Sequence, residues 1–122
     1  MPITRVMVVE DDVNTLSGYL EFLAAAGFEP RGVSNGAEAL TQALENPPAA
    51  IVTDIGLPGL NGFALSAALH EDARTRDLPV IGVTGQWDVD VKAKAKACGM
   101  RAVLVKPCMP AHLVGELNRL MR

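Results

Sequence analysis

The sequence predicts an α/β domain, doubly wound around a parallel sheet, and three observations predict it. Five short apolar runs alternate strictly with five segments of helical periodicity along the 122 residues. The runs are four to seven residues long and rich in β-branched and aliphatic side chains, as strands buried on both faces are. The connections are short, and no linker, repeat or low-complexity stretch interrupts the pattern. Parallel strands need crossover helices, and those helices cover both faces of the sheet. A single domain spanning residues 1–122 is expected, since a chain of this length buries one core.

The first run is Ile3 to Val9, stopped by Glu10, Asp11 and Asp12. Val13, Leu16, Leu20, Leu23 and Ala24 then recur with helical spacing, with Asp12 as N-cap and Gly27 as C-terminal stop. A weaker strand runs from Phe28 to Val33. Asn35 begins the next helix, and Glu38 completes a capping-box-like pair with it. Leu40, Ala43 and Leu44 supply its apolar face, and Pro47-Pro48 forbids continuation. The third strand, Ala49 to Thr53, ends at Asp54 and enters a loop rich in Gly and Pro, residues 56–62. Phe63, Leu65, Ala68 and Leu69 mark the third helix. The fourth strand, Val80 to Val83, ends at Thr84-Gly85. Asp88 caps a helix running to Cys98, and Gly99 stops it. The last strand, Ala102 to Val105, ends at Lys106-Pro107, and Pro110 suits the first turn of the final helix. Leu113, Leu117, Leu120 and Met121 form its apolar stripe.

Composition narrows the class. Residues are 49% hydrophobic and 20% charged, ordinary for a soluble globular domain. Fourteen acids against eleven bases give a net charge of −3, without the basic surplus of a direct nucleic-acid binder. No apolar run approaches the ~18 residues of a membrane span. The acids at positions 10–12 interrupt any signal-peptide core. Two cysteines without a C-x-x-C spacing predict neither a disulfide framework nor a zinc site. A cytoplasmic location is the expectation. The charge is unevenly spread: residues 1–61 carry a net −6 and residues 62–122 a net +3.

In a doubly wound fold, ligands bind beyond the carboxyl ends of the strands. Those ends carry Glu10-Asp11-Asp12, Asp54, Thr84 and Lys106: a carboxylate cluster, a hydroxyl and an ammonium on one predicted edge. Each has a plain structural reading. The three acids can cap a helix and answer its dipole, Asp54 can be a turn residue at a strand end, Thr84 can satisfy a turn, and Lys106 can be solvated. Gly56, Gly59 and Gly62 read as turn glycines and do not match G-x-G-x-x-G. Together the four positions are chemically complementary. All-oxygen ligands suit Mg²⁺ or Mn²⁺. Asp54 is placed to attack phosphorus, with Thr84 and Lys106 neutralising phosphoryl oxygens.

At these residues the sequence resembles a response-regulator receiver domain, the phosphoacceptor module of bacterial two-component signalling. The matching pieces are residues 8–12, residues 51–62, Val83-Thr84-Gly85 and Val105-Lys106-Pro107, in that order over essentially the whole chain. The resemblance implies a flavodoxin-like (βα)5 three-layer sandwich with strand order 2-1-3-4-5. It implies that Asp54 is the phosphorylated aspartate, and that Glu10, Asp11, Asp54 and the Gly56 backbone carbonyl hold Mg²⁺. Asp11 would be a direct ligand, with Glu10 acting through water. Thr84 would bond a phosphoryl oxygen, and Lys106 would bridge it to the acids, ahead of a cis Lys106-Pro107 bond. The implied donor is a phosphohistidine on a sensor histidine kinase or a histidine phosphotransfer protein.

Two residues depart from the family pattern. Val103 stands where a Tyr or Phe is usual, and Cys108 where a Phe commonly follows Lys-Pro. Gln86 and Gly56 lie beside the expected phosphoryl position; Gln86 either orients water or is an ordinary loop residue. Trp87 is either helix-start packing or part of a partner face. Lys92, Lys94 and Lys96 read as a solvated face, Cys98 as core, and His70 and His112 as surface residues.

Three other readings compete. A haloacid-dehalogenase-type phosphohydrolase shares the aspartyl-phosphate route, but it wants an Asp where Gly56 stands. A flavodoxin-like binding module needs Ser, Thr and Gly after the first strand, where this chain has three acids. A pseudo-receiver signalling without phosphate is opposed by the full set of Glu10, Asp11, Asp54, Thr84 and Lys106. The last helical stripe closes the sequence, so a receiver without an output domain is expected. It would be either a stand-alone protein or a piece of a longer regulator or hybrid kinase.

Overall fold

The structure, a computed structural model, describes residues 4–121. Ile3, the expected first residue of the first strand, lies outside the described residues. Five parallel strands alternate with five helices: β1 Thr4–Val9, α1 Val13–Ala25, β2 Phe28–Val33, α2 Gly36–Glu45, β3 Ala50–Asp54, α3 Gly62–Glu71, β4 Val80–Thr84, α4 Val89–Ala97, β5 Ala102–Val105 and α5 Pro110–Leu120. The sheet order is β2-β1-β3-β4-β5. The chain steps from β1 outward to β2, then crosses back over β1 to β3, so the strand order switches between β1 and β3, and the crevice beyond that switch point is where ligands sit in such sheets.

Burial follows from position in the sheet. The central strands β1, β3 and β4 are almost wholly buried, whereas the edge strands β2 and β5 are half exposed. Pro30 is accommodated in β2, at the edge, where a missing N–H leaves a neighbouring strand unharmed. Successive side chains along a strand point to opposite faces. Met7, Val9 and Ile51 therefore join one core cluster with Leu65, Leu69 and Ala95 of α3 and α4. Val6, Val8, Val52 and Ile81 join a second with Tyr19 and Leu23 of α1 and Leu113 and Leu117 of α5.

The helix starts follow side-chain chemistry. Asp12 accepts from the N–H groups of Asn14 and Thr15, Asn35 from Glu38 and Asp88 from Val91. Asn61, read from sequence only as part of the loop, is a fourth cap of the same kind, accepting from Ala64 N at 2.9 Å. Gly27 and Gly99 end α1 and α4 with φ of 96° and 86°, the left-handed conformation that stops a helix.

One surface expectation needs correction. His70 is not a free surface residue. Its Nδ1 lies 2.7 Å from the Ser66 carbonyl and 3.1 Å from that of Cys98, and its Nε2 lies 3.3 Å from that of Leu78. The ring fills a notch that only Gly99 leaves open, since a Cβ there would fall 2.8 Å from Nδ1. It ties α3 to the turns that flank β4 and β5. His112 and the three lysines of α4 are exposed, as expected, and Cys98 packs half-buried against the first cluster.

Candidate functional site

The site forms where β1, β3, β4 and β5 end together. Glu10 is only 3% exposed, held down by its N–H bonding to Val33 O at 3.0 Å. Its Oε1 accepts from Asp12 N at 3.1 Å, so the helix-capping residue also orients the acid before it. Asp54 is partly buried, and its Oδ1 accepts from Gly56 N at 3.1 Å. Asp11 is exposed beside them. Carboxylate oxygens of Glu10, Asp11 and Asp54 all come within 4.8 Å of one another.

Lys106 reaches this cluster from the end of β5. Its Nζ lies 3.5 Å from Glu10 Oε2 and 3.4 Å from Asp54 Oδ2. Its backbone N–H donates to Thr84 O at 2.7 Å, and the Lys106-Pro107 peptide is cis, as the resemblance implied. Thr84 is buried at the end of β4. Its hydroxyl donates to the Gln86 carbonyl at 2.9 Å and accepts from the Gln86 N–H at 3.2 Å.

Three carboxylates face one ammonium, and the charge balance shows in the proton affinities of Glu10 and Lys106. Burial raises the pKa of Glu10, and the nearby Asp54 charge adds to it; the Asp12 N–H and Lys106 oppose without prevailing. For Lys106, desolvation disfavours the charge, but Asp54 and Glu10 together outweigh it and raise its pKa. The pocket therefore holds its ammonium firmly and its buried acid under strain. The donor set is all oxygen, converging and negative in excess, which fits a hard divalent cation such as Mg²⁺.

The structure brings Glu10, Asp11, Asp54 and Lys106 into one pocket. Thr84 joins its rim through the main chain of β5, and Gly56 joins it through the N–H bond to Asp54. Pattern reading missed Gly62. A Cβ at that position would fall 2.7 Å from Asp54 O and 2.8 Å from Ile55 Cα, so α3 starts directly against the carboxyl end of β3. The sequence shows a glycine there but not that it packs, because Gly59 in the same loop is a true turn glycine with φ of 72°. Cys108 lines an apolar cleft of about 680 Å³ beside Lys106, walled by Tyr19, Phe22, Pro107 and Pro110.

Comparison with known proteins agrees with this geometry. Residues 6–118 match the response regulator receiver domain family, and the chain belongs to that family. It is 39% identical over 118 residues to the transcriptional regulatory protein PrrA of Mycobacterium tuberculosis, covering 97% of this chain and 50% of PrrA. It therefore spans about half the length of that relative. It is 30% identical to protein PilH of Pseudomonas aeruginosa, covering 96% of this chain and 97% of PilH. The chemotaxis protein CheY4 of Vibrio cholerae superposes with a TM-score of 0.93 at 27% identity, covering 98% of this chain and 99% of that one. The chain is thus a signalling module of two-component systems with the CheY-like flavodoxin fold, and its phosphoacceptor role fits that membership.

Proposed function

We propose that Asp54 accepts the phosphoryl group, within a receiver unit spanning residues 1–122. The observation that carries this reading is the single pocket in which Asp54 sits between two further carboxylates and the Lys106 ammonium. Asp54 is the acid on the central strand β3, between Glu10 and Lys106, so an approaching phosphoryl group meets it with cationic help alongside.

In the proposed reaction an Asp54 carboxylate oxygen attacks phosphorus of a phosphohistidine. The P–N bond breaks, its electron pair stays on the donor imidazole, and an acyl phosphate forms. The Gly56 N–H holds Asp54 Oδ1 and so fixes the direction of the carboxylate. Lys106 draws charge from the phosphoryl oxygens, and the Thr84 hydroxyl donates to one of them. Glu10, Asp11, Asp54 and the Gly56 carbonyl would hold Mg²⁺, which would supply charge neutralisation between carboxylates and phosphoryl oxygens. The chain catalyses only its own phosphorylation and dephosphorylation. The donor is a histidine kinase or a histidine phosphotransfer protein, and the setting is the cytoplasm; among the described residues no helix is long and apolar enough to cross a membrane.

Intact-mass measurement after incubation with Mg²⁺ and acetyl phosphate tests the reading. One added phosphoryl group is expected on the wild type and none on Asp54→Ala. An adduct of equal yield on Asp54→Ala would remove Asp54 from the role.

A further inference from the structure

Gly36 is the first residue of α2, and the loop between β3 and α3 lies against it. A Cβ there would fall on the Leu60 carbonyl oxygen, far inside contact distance, and 3.1 Å from the Leu60 carbonyl carbon. Neither partner is loosely held. The start of α2 is pinned by the Asn35 side chain, which accepts from Glu38 N at 2.8 Å. Ala39 and Ala43 seat the helix in the first core cluster, both wholly buried. Leu60 packs against the same cluster, and Leu57, three residues earlier, is buried in it. Pro58, between them, has little backbone freedom.

The loop is closed at its far end and carries Gly56 at its near end. Gly62 N donates to Ile55 O at 3.1 Å, and the Gly62 Cα side is pressed against the Asp54 carbonyl. Gly56 N donates to Asp54 Oδ1 at 3.1 Å. A Cβ at Gly56 would meet only that carboxylate oxygen, at 3.8 Å, so no other element braces the residue there. Gly56 therefore takes its position from the loop. A push at Leu60 is blocked toward Gly62 by main chain, and it passes instead toward Gly56.

We propose that Gly36 is a positioning residue for the site. By seating the Leu60 carbonyl against α2 it sets the loop, and the loop's Gly56 N–H aims the Asp54 carboxylate. Gly36 itself touches neither carboxylate nor ammonium. This inference rests on the reading of Asp54 as phosphoacceptor beside a divalent cation. Misplacing a reacting group by about 1 Å can cost about a hundredfold in rate, so a methyl group at position 36 reaches the chemistry through the loop.

The Gly56 amide resonance in ¹H–¹⁵N spectra of the metal-free protein, read beside a Mg²⁺ titration, tests this. In Gly36→Ala the resonance is expected to move upfield as its bond to Asp54 weakens. Mg²⁺ affinity is expected to fall about 10–100-fold, as it does when the support behind a ligand is lost. Leu60→Ala frees the same carbonyl without adding an atom, so it keeps the test open if Gly36→Ala does not fold; the same two changes are expected. Leu117→Ala, which loses packing on the opposite face of the sheet, is expected to keep both wild-type values per folded molecule. An unmoved Gly56 resonance with wild-type Mg²⁺ affinity in folded Gly36→Ala or Leu60→Ala overturns the proposal. Equal losses in Leu117→Ala overturn it too, since packing anywhere would then suffice. Absence of a phosphoryl group on the wild type shows in intact mass alone, and it would overturn the phosphoacceptor reading and this inference with it.

Discussion

Glu10 and Lys106 show how the pocket divides its costs at the level of single residues. Glu10 ionises less readily in the fold than in the unfolded chain, so its charge weighs against folding. That weight is absent below about pH 4.5, where both states are protonated. It sets in as pH rises and is complete once pH passes the raised folded value. Lys106 has the opposite sign: its contribution persists through neutral pH and is lost only as pH climbs above 10.5 toward its raised value. Glu10→Gln is therefore expected to raise the melting temperature in metal-free buffer near pH 7 and to weaken Mg²⁺ binding. Calorimetry paired with a Mg²⁺ titration checks both; a lower melting temperature with unchanged Mg²⁺ affinity contradicts the account. The chemical identities of Glu10, Asp54, Thr84 and Lys106 were legible because strand ends can be read from an apolar run and its stop. The bonds among them were not. Nothing in the order of residues shows that Asp12 N–H holds Glu10, or that Thr84 is already bound to Gln86.

Between the elements, the α3 start is the junction that most directly couples fold to site. Asn61 caps the helix, and Gly62 lets its first turn press against the carbonyl of Asp54. Gly62→Ala would gain up to about 1 kcal/mol of helix propensity. It would meet main-chain atoms that cannot give way, and such overpacking costs about 1–3 kcal/mol, so the clash wins. The expected result is lower stability by urea titration, with a slower rate of phosphorylation because Asp54 is displaced. Unchanged stability and rate would show that α3 can shift freely. Element positions were mostly legible: Asp12, Asn35 and Asp88 announce helices by their capping chemistry, and Gly27 and Gly99 announce their ends. Asn61 was hidden because it sits among turn residues that resemble it in composition. His70 was hidden for a different reason, since two of its three carbonyl neighbours, Leu78 and Cys98, lie outside its own helix.

The whole molecule is one sheet with a separate apolar cluster on each face. Leu65 fills one cluster and Leu117 the other, each wholly buried. Because both clusters rest on the same central strands, loss of either should unfold the chain as one unit. Leu65→Ala and Leu117→Ala are each expected to cost about 2–5 kcal/mol. Circular dichroism and Trp87 fluorescence should report a single coincident urea transition in both variants; two separated transitions would mean the faces unfold independently. Alternation of strands and helices made the fold class legible, but strand order was not. Apolar runs buried on both faces look alike wherever they sit in a sheet, and only the resemblance to the receiver family supplied the order that the structure shows.

The most direct test of the central claim is to locate the phosphoryl group. Borohydride reduces an acyl phosphate to an alcohol, leaving a permanent mark on the acceptor that peptide mapping can read. After Mg²⁺ and acetyl phosphate treatment, the mark is expected at position 54 and at no other carboxylate. A mark on Glu10, Asp11 or Asp12, with Asp54 unmodified, would contradict the account.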